Sequence, residues 1–194
     1  MIKWKPEIVF LDANVLFSVP IRDTLLTFAQ FGFFSPRWTD LVQKEWMRNV
    51  MKKRPDIPES NLERTIQEMN NAFPDAEVTL QKGFSEIIKL PDPGDVHVVL
   101  GAMEGQCSKI VTLNLKDFPQ DQLSPFQIEA IHPDEFMISL LSKTREESMA
   151  AFSVQVNRLK NPPMDALTVI SYLKKSGLLK TGEQLETWLS ETME

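Results

Sequence analysis

The stretch Ile8-Val9-Phe10-Leu11-Asp12-Ala13-Asn14-Val15-Leu16 decides the fold of this chain. Its first four residues are bulky and apolar, and so short a run is typical of a strand covered on both faces in a parallel sheet. In open α/β sheets, ligand sites form beyond the carboxyl ends of the strands. Asp12 stands at such an end, where a carboxylate among apolar residues is costly unless it is paired or binds a metal ion. The alternative is that Asp12 simply opens a turn.

Composition places the chain among ordinary globular proteins. Of its 194 residues, 42% are hydrophobic and 25% are charged, which suits one α/β domain with an appendage. The net charge of −6 argues against binding of nucleic acid over the whole surface, although a local basic patch can still meet phosphates. The apolar runs are too short to span a membrane, and the N-terminus lacks the pattern of a secretory signal. A single cysteine, Cys107, excludes an internal disulfide, so we expect a cytoplasmic protein.

Strand-like and helix-like periods alternate along the chain, which predicts an α/β fold with a mostly parallel sheet and right-handed helical crossovers. Besides the first strand, we predict strands at 109–113 and 127–131 and a weaker candidate at 78–80. Residues beyond 142 carry helical patterns only. The predicted domains are therefore residues 1–142, an α/β domain, and residues 143–194, a helical extension. This extension either packs on the main domain or forms a partner-binding arm.

Several signals mark where the helices begin and end. Capping boxes are predicted at Ser60 with Glu63 and at Thr144 with Glu147, because a hydroxyl and an acid three residues later cap a helix start reciprocally. Gly177 and Gly182 are expected to separate the last two helices of the extension.

Acidic residues stand at the ends or on the inner faces of four predicted elements. Asp12 and Asp117 follow parallel strands, whose carboxyl ends meet at one edge of the sheet, while Glu45 lies on the apolar face of its helix. Asp95 points inward at the start of another helix, where the helix dipole stabilises its charge. Carboxylates so close would repel and raise one another's pKa unless a cation neutralised them. Oxygen ligands without His or Cys select Mg²⁺ or Mn²⁺, ions that promote hydrolysis of phosphodiesters.

In four segments, the chain resembles the PIN-domain family, the metal-dependent nuclease fold best known from VapC-type toxins of bacterial toxin–antitoxin pairs. The matching segments hold the four acids and agree with the family in order and spacing: residues 10–16, 41–46, 93–97 and 112–118. The resemblance implies a three-layer PIN-like fold with a central, mostly parallel sheet flanked by helices. The longer inserts and the helical tail resemble one subgroup of these toxins.

The resemblance also implies an activity, namely hydrolysis of phosphodiester bonds in single-stranded or structured RNA by an endoribonuclease that depends on Mg²⁺ or Mn²⁺. Carried over by position, Asp12, Asp95 and Asp117 would bind the metal. Glu45 would ligate through water or orient the nucleophile, and Asn114 would hold this network by hydrogen bonding. A small antitoxin protein and a second copy of the chain, forming a homodimer, are the protein partners that the resemblance implies.

Four further residues are candidates for contact with RNA. Arg48 and Lys52 belong to a basic run that either guides RNA phosphates, so that binding weakens with added salt, or is a solvated helix end. Arg22 lies in the helix after the Asp12 loop, and Asn14 lies within that loop.

Two other functions stay open. The first is a catalytically idle PIN-like module that binds RNA or a protein, against which the acids at all the motif positions argue. The second is a phosphohydrolase with an aspartyl nucleophile, a class that generally needs a second acid two residues later, where Asn14 stands. By helical spacing, His97 faces away from Asp95 and is expected to be structural.

Overall fold

The computed structural model describes residues 5–81, 88–160 and 162–193. None of the helices in these ranges combines the length and the apolar character needed to cross a membrane.

Short 3-10 turns lie at Pro93–Asp95, Leu115–Asp117 and Ser124–Phe126. The other regular elements are, in chain order, β1 (Glu7–Leu11), α1 (Ala13–Phe17), α2 (Val19–Gln30), β2 (Phe34–Arg37), α3 (Asp40–Lys53), α4 (Glu59–Ala72), α5 (Val96–Glu104), β3 (Lys109–Val111), α6 (Gln120–Leu123), β4 (Glu129–Ile131), α7 (Pro133–Leu141), α8 (Arg145–Arg158), α9 (Ala166–Lys175) and α10 (Leu179–Met193).

The chain divides into two compact units. The first comprises Met1–Phe17 and Phe34–His132 and holds the sheet. The second comprises Ser18–Phe33 and Pro133–Glu194 and holds α2 together with the C-terminal helices α7 to α10. The domain boundary expected between residues 142 and 143 stays a prediction.

The sheet of the first unit has the strand order β2-β1-β3-β4, and every neighbouring pair is parallel. Phe10 of β1 is level with Arg37 of β2 on one side and with Ile110 of β3 on the other. The last three residues of β1, Val9, Phe10 and Leu11, are fully buried, as a strand covered on both faces requires. The predicted α/β class with a parallel sheet is confirmed, and the strands at 109–113 and 127–131 are present in shortened form.

The edge strand β2 is the element that the sequence analysis misses. Its residues, Phe34-Ser35-Pro36-Arg37, are few and include a proline, which has no N–H and is confined to edges of sheets. Just beyond β2, the Trp38 N–H donates to the carbonyl of Ala76 at 3.0 Å, and the Val78 N–H donates to the carbonyl of Trp38 at 2.8 Å. The strand expected at 78–80 is wrong, because this segment makes only an isolated bridge between Trp38 and Glu77.

The predicted capping boxes are also wrong. Pro58 precedes α4 and its fixed φ suits a helix start, so Ser60 falls inside the first turn and caps nothing. Thr144 does precede α8, but its side chain makes no capping hydrogen bond.

Gly177 lies between α9 and α10, as expected, whereas Gly182 lies inside α10 and does not separate two helices. A Cβ atom at this position would lie 2.5 Å from Cγ of Lys174, on α9. Glycine therefore lets the two helices pack closely, and the Lys174 ammonium reaches Glu186 at 2.6 Å. The start of α10 is held by Asp134 of α7, which accepts hydrogen bonds from Lys180 N and Thr181 N, both at 2.9 Å.

In the first unit, α5 packs against β1 at Gly101. A Cβ atom there would lie 2.5 Å from Cε2 of Phe10 and 2.9 Å from Cγ2 of Thr39, the N-cap residue of α3. The absence of a side chain at Gly101 is thus what lets α5 approach the sheet. This packing matters for function because α5 directly follows Asp95.

Two helix ends depart from the usual choice of residue. Gln106 follows α5 with φ 53°, and Gln127 follows the turn Ser124–Phe126 with φ 58°. Both glutamines occupy the left-handed position that usually holds glycine at the C-terminal end of a helix. The backbone hydrogen bonds typical of such an end are present, because Cys107 N donates to Ala102 O at 2.8 Å and Ile128 N donates to Leu123 O at 3.4 Å.

We predict that Gln106→Gly and Gln127→Gly each stabilise the protein, by on the order of 0.5 kcal/mol. Relief of about 1–2 kcal/mol of left-handed strain exceeds the roughly 0.5–1 kcal/mol of extra backbone entropy that glycine loses on folding. Urea unfolding followed by circular dichroism measures the change. The matched control is Gln67→Gly, in the right-handed interior of α4, which should destabilise. A loss of stability in both test variants would contradict the assignment of strain.

Candidate active site

The candidate site lies at the carboxyl ends of β1 and β3, where the two central strands run side by side. Asp12 directly follows β1 and is only 5% exposed. Its carboxylate accepts hydrogen bonds from Ala13 N at 2.6 Å, from Asn14 Nδ2 at 2.5 Å and from Thr112 Oγ1 at 2.7 Å. These donors fix the carboxylate in one orientation, although none of them carries a positive charge.

Thr112 joins the ends of the two strands. Its hydroxyl donates to Asp12 and accepts from Asn14 Nδ2 at 2.9 Å and from Asn114 N at 3.0 Å. Asn14 also accepts a hydrogen bond from Leu113 N at 3.0 Å. The side-chain amide of Asn14 is thus engaged within the protein and positions Asp12, while contact of Asn14 with RNA stays a prediction.

The sequence analysis does not single out Thr112. The register of β1 and β3 pairs Leu11 with Val111, so the next residues, Asp12 and Thr112, come side by side. A hydroxyl after an apolar strand gives only a weak sequence signal, because the register of two strands separated by about half the chain cannot be read from the sequence.

The predicted acids influence one another electrostatically. Burial, together with the neighbouring carboxylates of Asp12, Asp92 and Asp117 in that order, raises the pKa of Asp95 to about 6. Burial, with a smaller contribution from Glu45, raises the pKa of Asp12 to about 6 in spite of its three hydrogen bonds. We call these five residues, Asp12, Glu45, Asp92, Asp95 and Asp117, the acid cluster.

Glu45 completes this set from α3. Burial raises the pKa of Glu45, Asp95 and Asp92 raise it further, and the nearby Arg48 guanidinium lowers it. Asp92 is a member that the sequence analysis missed. Its carboxylate caps the turn before α5 by accepting a hydrogen bond from Gly94 N at 2.7 Å.

Asn114 lies beside Asp117, as the resemblance implied. The Asn114 side-chain amide donates to Asp117 Oδ2 across the turn Leu115–Asp117. Because the Asn114 backbone also donates to Thr112, one chain of hydrogen bonds runs from Asp117 to Asp12.

His97 lies next to Glu45, a contact that the sequence analysis did not predict. Its Nε2 atom is 3.4 Å from Glu45 Oε2, and its Nδ1 atom is 3.0 Å from the carbonyl oxygen of Gly94. The expectation that His97 faces away from Asp95 stays a prediction, since neither of these contacts involves Asp95. Burial lowers the pKa of His97, which favours a neutral ring.

The basic candidates are placed differently. Arg48 is exposed on α3, three residues after Glu45. Its Nε atom donates a hydrogen bond to Lys44 O at 3.2 Å. Lys52 is exposed near the end of that helix. Arg22 belongs to the second unit, where its guanidinium lies 3.5 Å from Asp23. Roles of these residues in RNA binding stay predictions.

The donor set of the acid cluster fits a hard divalent cation, because all its ligand atoms are carboxylate oxygens. Among the described residues, no Lys or Arg forms an ion pair with Asp12, Asp95 or Asp117. In the same ranges, no three His, Cys, Asp or Glu side chains are close enough together to coordinate one ion as they stand. The side chains are therefore near enough to repel one another but too far apart to share an ion without moving.

We predict that Asp95→Asn stabilises the protein in EDTA at neutral pH. The folded pKa of Asp95, about 6, exceeds its ordinary value of 3.8, so the folded state binds more protons between these values and wild-type stability falls as pH rises through that window. The variant lacks this dependence, so its advantage in melting temperature should shrink from pH 7 to pH 4. Asp75→Asn, at an exposed turn, is the control. An advantage independent of pH would contradict the prediction.

Comparison with known proteins gives a family model and a curated relative. Residues 133–187 match the family model described as the VapC50 C-terminal domain. Over 79 residues, 41% of this chain, the sequence is 37% identical to "Putative ribonuclease VapC50" of Mycobacterium tuberculosis. This match spans 47% of that relative's length, so the chain covers about half of the curated protein it resembles. No solved structure matches the chain. The resemblance to VapC-type ribonucleases is thereby confirmed: the chain has distant homology to the relative named VapC50, and residues 133–187 are similar to the VapC50 C-terminal domain.

Proposed function

We propose that this chain is an endoribonuclease that depends on Mg²⁺ or Mn²⁺. The observation that carries the proposal is the acid cluster, in which neighbouring carboxylates add to the raised pKa values of Asp12, Glu45 and Asp95, and in which Asp12, Asp95 and Asp117 have no Lys or Arg ion-pair partner in the described ranges. A protein gains nothing in stability from such an arrangement, and a divalent cation is its natural counter-charge. The homology to a protein named as a ribonuclease supports the same activity.

Each acid has a proposed part. Asp12, Asp95 and Asp117 would hold the cation, which when bound makes water more acidic and stabilises charge on phosphoryl oxygens. Glu45 orients the attacking water, and its raised pKa suits it to take up a proton from that water. Asn114 holds Asp117 in place.

The substrate side of the proposal involves cationic and amide side chains. Arg48 and Lys52 contact the RNA phosphates along α3, while Asn14 and Arg22 are further candidates. If these cations contribute, binding weakens as salt concentration rises.

We further propose that the chain is the toxin of a type II toxin–antitoxin pair and acts as a homodimer controlled by a small antitoxin. The support is homology to a VapC protein, which covers about half of that relative.

Our principal prediction is that Asp12→Asn reduces RNA cleavage by at least about a hundredfold, because the developing charge at the phosphate is no longer stabilised. Cleavage of a fluorescent single-stranded RNA is measured with Mg²⁺, with Mn²⁺ and with EDTA. In parallel, Mn²⁺ should raise the melting temperature of wild type more than that of the variant, which tests metal binding without activity. Asp75→Asn is again the matched control. Binding of RNA without cleavage under all three conditions would sink the nuclease proposal in favour of an idle module.

The toxin role makes a separate prediction. Expression of the chain alone in a bacterial host should arrest growth, whereas expression of the Asp12→Asn variant at the same level should not. Growth curves and colony counts after induction provide the measurement. Unimpaired growth with wild type, at confirmed expression, would remove the toxin proposal and leave the nuclease proposal standing.

A further inference from the structure

A second pocket lies at the opposite edge of the sheet from the acid cluster. It is open, has a volume of about 430 Å³, and is formed by the residues that lead into the amino ends of β3 and β4. Cavities of roughly 300–1,000 Å³ are typical of small-ligand sites. None of the described residues that line it carries a charge, which suits a neutral ligand group.

Gln106 and Gln127 line this pocket from two neighbouring loops. They occupy equivalent places, each in a left-handed conformation at a helix end and each two or three residues before a strand of the same parallel pair. Backbone geometry alone would favour glycine at both places. Residues in strained conformations cluster at functional sites. The presence of two such glutamines in the lining of one pocket therefore indicates that their side chains contact a ligand.

The chemistry of the lining defines the ligand. Each glutamine side chain is exposed and presents an amide donor beside a carbonyl acceptor. Phe126 adds an aromatic ring and Met103 a polarisable thioether, and both favour contact with a flat ring. A neutral, planar ring with donors and acceptors along its edge fits the uncharged lining, the two glutamine amides and the contacts offered by Phe126 and Met103. A nucleobase is such a ring. Glutamine pairs with the edge of adenine in a bidentate manner.

We propose that this pocket binds a nucleobase, held along its edge by Gln106 and Gln127 and stacked on Phe126. The base comes either from a single-stranded RNA or from a free nucleotide, since both present the same ring. The site is separate from the acid cluster and does not depend on the cleavage activity.

The test is a titration of the isotope-labelled protein with adenosine, guanosine, cytidine and uridine, followed by NMR in EDTA so that no cleavage intervenes. Ribose 5-phosphate is the probe without a base. At least one nucleoside should shift the amide signals of residues 103–108 and 126–128, and ribose 5-phosphate should not. The Gln106→Gly, Gln127→Gly double variant should bind that nucleoside about tenfold more weakly, as the loss of a bidentate pair implies.

The double variant removes the usual ambiguity of such tests, because the relief of backbone strain should make it more stable than wild type. Weaker binding therefore cannot be ascribed to unfolding. Gln67→Ala, on the exposed face of α4, is the matched control and should bind as wild type does. Unchanged affinity in the double variant, equal shifts with ribose 5-phosphate, or no shifts with any nucleoside would each overturn the proposal.

A competition experiment then identifies the source of the base. If a single-stranded RNA of the same base displaces the nucleoside, the pocket holds a base of an RNA chain. If it does not, the pocket holds a free nucleotide. Both results support a nucleobase pocket, and neither depends on whether the acid cluster cleaves RNA.

Discussion

The hydrogen bond from the Thr112 hydroxyl to the Asp12 carboxylate is the interaction on which the candidate site depends. It joins residues at the ends of two central strands and does so where the carboxylate is almost fully buried. The same hydroxyl accepts hydrogen bonds from Asn14 Nδ2 and Asn114 N, so the Thr112 side chain links segment 10–16 to segment 112–118. The negative charge is oriented by this network but not neutralised, which leaves a demand for a cation.

The remaining acids reach this point from separate helices and turns. Asp95 precedes α5, whose approach to β1 requires Gly101, and Glu45 projects from α3, whose N-cap Thr39 lies against the same glycine. Backbone packing thus brings like charges together at an electrostatic cost, which the raised pKa values of Asp12 and Asp95 record. A carboxylate set assembled at such a cost is better explained by ligand binding than by stability.

The sequence predicted the parallel sheet and the positions of the acids because both depend on local patterns, namely a short apolar run followed by a polar residue. It failed where tertiary contacts decide. Thr112 and Asp92 owe their places to strand register and a turn, and the contact of His97 with Glu45 joins helices that are far apart in the sequence. Gly182 lies within α10, where a side chain would collide with Lys174 of the neighbouring helix. Pro36 made β2 difficult to recognise as a strand from the sequence.

Pro36 also has a consequence for solubility. Along a strand, the N–H groups of alternate residues point the same way, and that of Trp38 points outward to Ala76. The N–H that Pro36 lacks would therefore point away from the sheet, on the outer side of β2. A strand of another molecule that paired there would lack this hydrogen-bond donor. Pairing of β2 with a strand of another molecule is therefore disfavoured along this border.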